Sequence, residues 1–212
     1  MNEEQAVLDF FAQPENLPLA LAVADQVDNI RMRLNNNFWL ATRAGVDELI
    51  NSHALTWESE LTEDRNTENC LVGVYLQPLG GARIYLRPFM EQQLMGDAFR
   101  IYCGLMWSTT PTPEQLRLPA VADLRDAMLA RGFKNNESFL AWQWTGLYPR
   151  RKNFLMQLSE HKDTLLEQVM ELWQGLLIEH GAALQTANSA LNEQPPLATF
   201  SLDQLRTSLK KS

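Results

Sequence analysis

The chain has 212 residues, a mass of 24.2 kDa and 45% hydrophobic residues, which is enough to fill a core and excludes a chain disordered throughout. Lys plus Arg is 18 and Asp plus Glu is 26, a formal charge of −8. No apolar run approaches the roughly 18 residues that a membrane span needs, and the acidic start Met1-Asn2-Glu3-Glu4 lacks the basic region of a secretion signal, so we expect a cytoplasmic chain with no membrane contact.

The charge is unevenly spread. Residues 1–69 hold 13 acids and 4 bases, residues 70–158 hold 6 acids and 10 bases, and residues 159–212 hold 7 acids and 4 bases. A mildly basic middle is therefore hidden in an acidic total. Thirteen of the 18 bases are Arg, the cation suited to fixed, planar pairing. The field of the whole molecule does not draw in nucleic acid, so a nucleic-acid partner would need a local basic face.

Glu3 to Ala12 reads as a short helix that Pro14 stops. Asn16 then looks like an N-cap with Pro18 just inside the next helix. Leu19, Val23, Val27, Ile30 and Leu34 recur at helical spacing, followed by Phe38 and Trp39. The expectation is two helices, or one long kinked helix, ending near Ile50, with Asn35-Asn36-Asn37 as a break or a polar stripe. The period then falls to two in Leu55-Thr56-Trp57-Glu58-Ser59-Glu60-Leu61, a half-buried strand.

Residues 62–69 read as a polar loop, Cys70 to Gln77 as a second strand and Ala82 to Pro88 as a third. A three-residue loop, Leu79-Gly80-Gly81, would pair Leu76 with Ile84 and Val74 with Leu86, burying the same face of both strands. Residues 89–98 read as a helical turn or wide loop, and Arg100 to Ser108 as a fourth strand. Cys70 and Cys103 lie in apolar strand-like runs and are expected as buried thiols.

Pro119 to Arg131 reads as a helix with Gly132 at its C′ position. Phe139 to Thr145 is a fifth strand or a buried loop, and Arg150-Arg151-Lys152 sits in a connector. A long helix is expected from Asp163 to about Leu191, carrying Leu166, Val169, Trp173, Leu177 and Leu184. Pro195-Pro196 makes a linker, and Ser201 caps a last short helix. The fold class is α+β: an antiparallel meander of four or five strands packed by long helices, one domain over residues 1–191, then linker and short helix over 192–212.

The familiar chemical motifs are missing: no phosphate loop, no GxGxxG, no HExxH, no GxSxG and no CxxC. His53, His161 and His180 are too far apart to make a metal pair by spacing, and no cofactor is implied. Glu167 and Glu171 lie on one helix face without the Glu-x-x-His that a di-iron site wants. Glu58 and Glu60 share a strand face and could hold Mg²⁺ on a phosphate-bearing substrate, or form the wet side of an edge strand.

The most distinctive pattern is on the sheet. If Ile84, Leu86, Ile101, Cys103, Leu105 and Trp107 face one way, the other face carries Tyr75, Arg83, Tyr85, Arg87, Arg100 and Tyr102. Arg beside Tyr offers planar donors and stacking surfaces for a phosphate, a carboxylate or a nucleobase. Alternatively those side chains cover the sheet, with their charges paired to the acidic first third. Trp142 and Trp144 would point the same way on a strand and could wall a pocket.

The order of Phe38-Trp39, Trp57-Glu58-Ser59-Glu60, an Arg/Tyr-rich hairpin, a strand ending in Trp107, Trp142-Gln143-Trp144 and a long C-terminal helix resembles the region that follows the catalytic core in some PD-(D/E)XK-superfamily bacterial and prophage proteins. The likeness covers about residues 37–185. Glu160-His161-Lys162 stands in a helical context and Glu91-Gln92-Gln93 lacks the lysine, so the resemblance implies the non-catalytic part. The leading expectation is a non-enzymatic interaction or regulatory protein, with a protein partner or a homodimer through the long Leu/Trp helix. The rival is a binder of a phosphate- or carboxylate-bearing ligand or nucleic acid through the Arg/Tyr face.

Overall fold

The structure is a computed structural model and describes residues 2–63, 71–95 and 98–193. Asn2 caps α1 (Glu3–Phe11) by accepting the Glu4 N–H, with Glu3 and Glu4 suitably placed in the first turn. Asn16 occupies the next capping position, but its amide donates to the Phe10 carbonyl at 3.0 Å and so ties α1 to the following helix. Pro18 needs no acceptor in the first turn, and α2 (Leu17–Ser52) runs for 36 residues. Asn35-Asn36-Asn37 does not break it.

Five strands follow: β1 (Trp57–Leu61), β2 (Val72–Pro78), β3 (Leu86–Met95), β4 (Ala98–Trp107) and β5 (Phe139–Trp144). They lie in chain order, each antiparallel to the next. The α+β class and the meander are as expected, and Phe139 to Trp144 is strand rather than loop. Around the sheet lie α3 (Pro113–Leu116), α4 (Pro119–Ala130), α5 (Lys152–Glu160), α6 (Lys162–Gln174), a π-helical turn over Gly175–Glu179, and α7 (Gly181–Glu193).

Several expectations need correction. Residues 89–98 are largely strand, since β3 continues to Met95 and β4 starts at Ala98. Val74 pairs with Met90, not Leu86. The slip of four residues preserves parity, so the same side chains still face inward. The longer link, residues 79–85, is held at its end by α7: Asn188 accepts the Leu86 N–H at 2.7 Å and donates to the Leu86 carbonyl at 3.0 Å. Sequence spacing cannot show a side-chain amide from 102 residues away taking the place of a strand partner.

Arg150-Arg151-Lys152, expected in a connector, leads directly into α5, where Phe154 and Leu158 are buried one turn apart. The expected single helix from Asp163 to Leu191 is α6 and α7 joined through the π turn, where the His180 N–H bonds the Gly175 carbonyl five residues back at 3.2 Å. Cys70, most of the polar loop over 62–69 and the short helix expected from Ser201 lie outside the described residues.

One core joins the helices to one sheet face. Val72, Val74, Leu76, Leu86, Met90, Ile101, Cys103 and Leu105 meet Phe38, Trp39 and Val46 of α2, Leu124 and Met128 of α4, and Val169 and Trp173 of α6. The Trp39 indole N–H donates to the buried Gln92 amide oxygen at 2.8 Å, pinning α2 to β3. Trp173 is fully buried. The Leu/Trp face expected to pair two copies, with Trp173, Leu177 and Leu184, is thus packed into the chain's own core.

Gly104 is set by close approach, whereas Gly175 stands in open space. A Cβ on Gly104 would lie 2.0 Å from the Ala141 carbonyl oxygen of the paired strand β5, next to the register shift at Leu105 and Met106. Gly104→Ala is expected to destabilise by about 3 kcal/mol, the upper part of the overpacking range. Gly175→Ala, which meets nothing within 4 Å, should cost nothing or stabilise by up to about 1 kcal/mol. Urea denaturation of the two variants beside wild type checks the contrast.

Candidate functional site

Alternation along the strands puts Tyr75 of β2, Arg87, Phe89 and Glu91 of β3, and Arg100 and Tyr102 of β4 on the sheet face away from the helices. Four of the six expected residues, Tyr75, Arg87, Arg100 and Tyr102, therefore share a surface. Arg83 and Tyr85 do not lie on a strand. They fall in the 79–85 link, where Arg83 is exposed and the Tyr85 backbone pairs with Ser108.

The centre of this face is an aromatic cluster around Glu91. The Tyr75 and Tyr102 hydroxyls both donate to its carboxylate. Phe89 is fully buried and stacks on Phe139 with centroids 4.9 Å apart. Tyr102 meets Trp144 edge-on at 5.1 Å, and Trp142 meets Trp144 at 5.6 Å. Trp142 and Trp144 point the same way, as expected, but they pack on Tyr102 and on each other. Gly104 lies beneath Trp142, where a side chain would not fit.

The two arginines stand at opposite ends. Arg87 is paired with Met106 and Arg100 lies six residues along the same strand, roughly 20 Å away at strand rise. Arg87 sits over the Tyr75 ring at 5.1 Å and donates to the Met106 sulfur at 3.3 Å. Arg100 lies over the Trp144 and Tyr148 rings at 5.0 and 5.4 Å and donates to the Thr145 carbonyl at 3.2 Å. Neither is ion-paired to the acidic first third among the described residues. No one small anion can bridge them, and a carboxylate occupies the ground between. The arrangement suits an extended contact over the sheet face better than a phosphate pocket.

Burial pushes the Glu91 carboxyl above its ordinary value, with the Tyr102 and Tyr75 hydroxyls and the Arg87 charge opposing the rise. Burial, and then the charge of Glu91, raise both tyrosines. Glu91 is not among the expected site residues, because a helical turn or wide loop over residues 89–98 gives it no place on a sheet face. The signal was present in the alternation Phe89, Glu91, Gln93 after Arg87.

Glu58 and Glu60 are exposed on β1, an edge strand, with Gln77 donating to Glu58 at 3.5 Å. Glu160-His161-Lys162 joins α5 to α6. Among the described residues no three His, Cys, Asp or Glu side chains come together as metal ligands, and no helix is long and apolar enough to cross a membrane. No family model, curated protein or solved structure matches the chain.

Because the fold raises the Glu91 pKa, the unfolded chain ionises this group first as pH climbs through about 4.5. Its contribution to stability is greatest below that pH and falls until the folded carboxyl has ionised too. Glu91→Gln keeps a hydrogen-bonding side chain there without the charge and should flatten this loss. Glu91→Ala leaves two phenols unpaired and should cost roughly 2–4 kcal/mol. Urea midpoints from acid to neutral pH test this, and parallel wild-type and Glu91→Gln profiles would contradict it. Burial also pushes the Cys103 thiol up to about 12. In a Cys70→Ser variant the remaining thiol should resist a disulfide reagent until the protein unfolds, and rapid native labelling would count against this burial.

Proposed function

We propose that the chain is a non-enzymatic cytoplasmic protein that acts by binding another protein, in an interaction or regulatory role. The observation that carries this reading is the hairpin of α1 and the first half of α2. No residue of α1 is buried, and the first buried residue of α2 is Asn35. The 18 residues Leu17 to Leu34 span about 27 Å of helix and include Leu19, Val23 and Ile30, all exposed. A soluble monomer rarely leaves a contiguous apolar stripe of this size uncovered, and such patches mark contact sites.

The resemblance of residues 37–185 to the region after a PD-(D/E)XK core supports a non-catalytic role, and the hairpin lies ahead of that stretch. A second reading uses the opposite end of the chain's chemistry. Arg87 and Arg100, set among rings on the face away from the helices, support contact with a carboxylate- or phosphate-bearing partner, nucleic acid included.

Paired variants separate the readings. The chain is cross-linked in cells as wild type, as Leu19→Glu with Val23→Glu, and as Arg87→Ala with Arg100→Ala. The interaction reading expects the cross-linked protein to fall at least about tenfold in the first variant alone. Loss in the second variant alone favours the sheet-face reading. Retention in both removes the hairpin as the contact.

A further inference from the structure

We infer that the hairpin's occupant is a second copy of this chain, packed hairpin on hairpin so that α1 and α2 of each protomer close a four-helix bundle between them. This rests on the proposal that the hairpin is the contact element, and names what it contacts.

The reasoning begins with what two helices can bury. α1 has only nine residues, and α2 passes it as one stripe: Leu19, Val23, Val27, Ile30 and Leu34, at spacings of four, four, three and four. Val27 and Leu34 are half-buried, whereas Leu19, Val23 and Ile30 remain 58%, 46% and 50% exposed. On α1, Val7, Leu8 and Phe10 remain 50%, 63% and 52% exposed. A pair of helices has no interior, so these side chains need further helices against them.

Area favours a second hairpin. Leu8 is turned about 160° from Phe10 on α1, and without it the other five side chains present on the order of 500 Å² of apolar surface; a stable interface takes about 800 Å² from each partner, a little over half of it apolar. An isologous contact uses the same patch twice, and the stripe's spacing reads nearly alike in both directions, as a two-fold pairing of antiparallel helices requires.

Charge is the main objection. Residues 2–30 carry six acids and no base. Asp25 and Asp28, however, fall on the side of α2 away from the stripe by helical geometry, and Asp28 is paired with Arg31 at 3.2 Å. The remaining repulsion between copies is long-range and screened by salt. The self-association should therefore tighten as salt is raised, whereas docking of a basic partner on the same acidic hairpin would weaken.

Light scattering on the full chain over micromolar concentrations, at low and at high salt, tests the inference. A mass rising from 24.2 kDa toward twice that value, more readily at high salt, is expected. Val23→Glu with Ile30→Glu should hold the mass at one chain with unchanged circular dichroism. Leu79→Glu, a control at an exposed apolar residue on the sheet turn, should dimerise as wild type. A wild-type chain that stays monomeric throughout overturns the second copy, as does a dimer indifferent to Val23→Glu with Ile30→Glu. Monomer together with loss of cross-linking in the Leu19→Glu, Val23→Glu variant would instead assign the hairpin to a different protein and leave the broader reading standing.

Discussion

The docking of the second half of α2 onto the sheet governs the rest of the molecule. Phe38 and Trp39 are fully buried there, and the Trp39 indole is held by Gln92, a polar side chain that faces the core. The buried indole N–H reaches the amide oxygen only in one relative placement of helix and strand, so the bond fixes both position and rotation of α2. Because α2 is one continuous helix, fixing its second half also aims its first half. The direction of the hairpin is a consequence of packing some 30 Å away from its far end, by the rise of an α-helix.

The sheet is buried on both faces by different means. One face meets helices. The other is covered largely by its own side chains, with Phe89, Tyr102, Phe139, Trp142 and Trp144 forming a layer in which rings meet edge to face or stack. Such a layer has few polar partners to offer, and Glu91 is accommodated because two phenols point at it. Arginine serves this layer too. Arg100 and Arg87 spread their guanidinium groups over rings instead of pairing with acids, which keeps their charge near solvent while their stems cover apolar surface.

These two surfaces differ in what they have left to give. On the aromatic face most ring edges already have neighbours, and the cations stand far apart. On the hairpin, large aliphatic side chains have solvent on one side and no core behind them. The hydrophobic effect acts on area removed from water, so the hairpin gains more from a partner than the aromatic face does.

Sequence alone determined the elements whose pattern is local. Period two in Trp57 to Leu61, the alternation from Arg100 to Trp107 and the 3.6-residue spacing along α2 and α6 each follow from backbone geometry, and with them the α+β class and the shared face of Tyr75, Arg87, Arg100 and Tyr102. Tertiary structure decided what depends on distant partners. Asn188 of α7 takes the place of a strand partner at Leu86, burial raises the Glu91 pKa against tyrosines from two other strands, and the fate of each apolar stripe depends on what lies opposite. The stripes of α2 and α6 look alike as text. Only packing shows that Trp173 lies inside the core and Val23 faces water, because burial belongs to the pair of surfaces and not to either one.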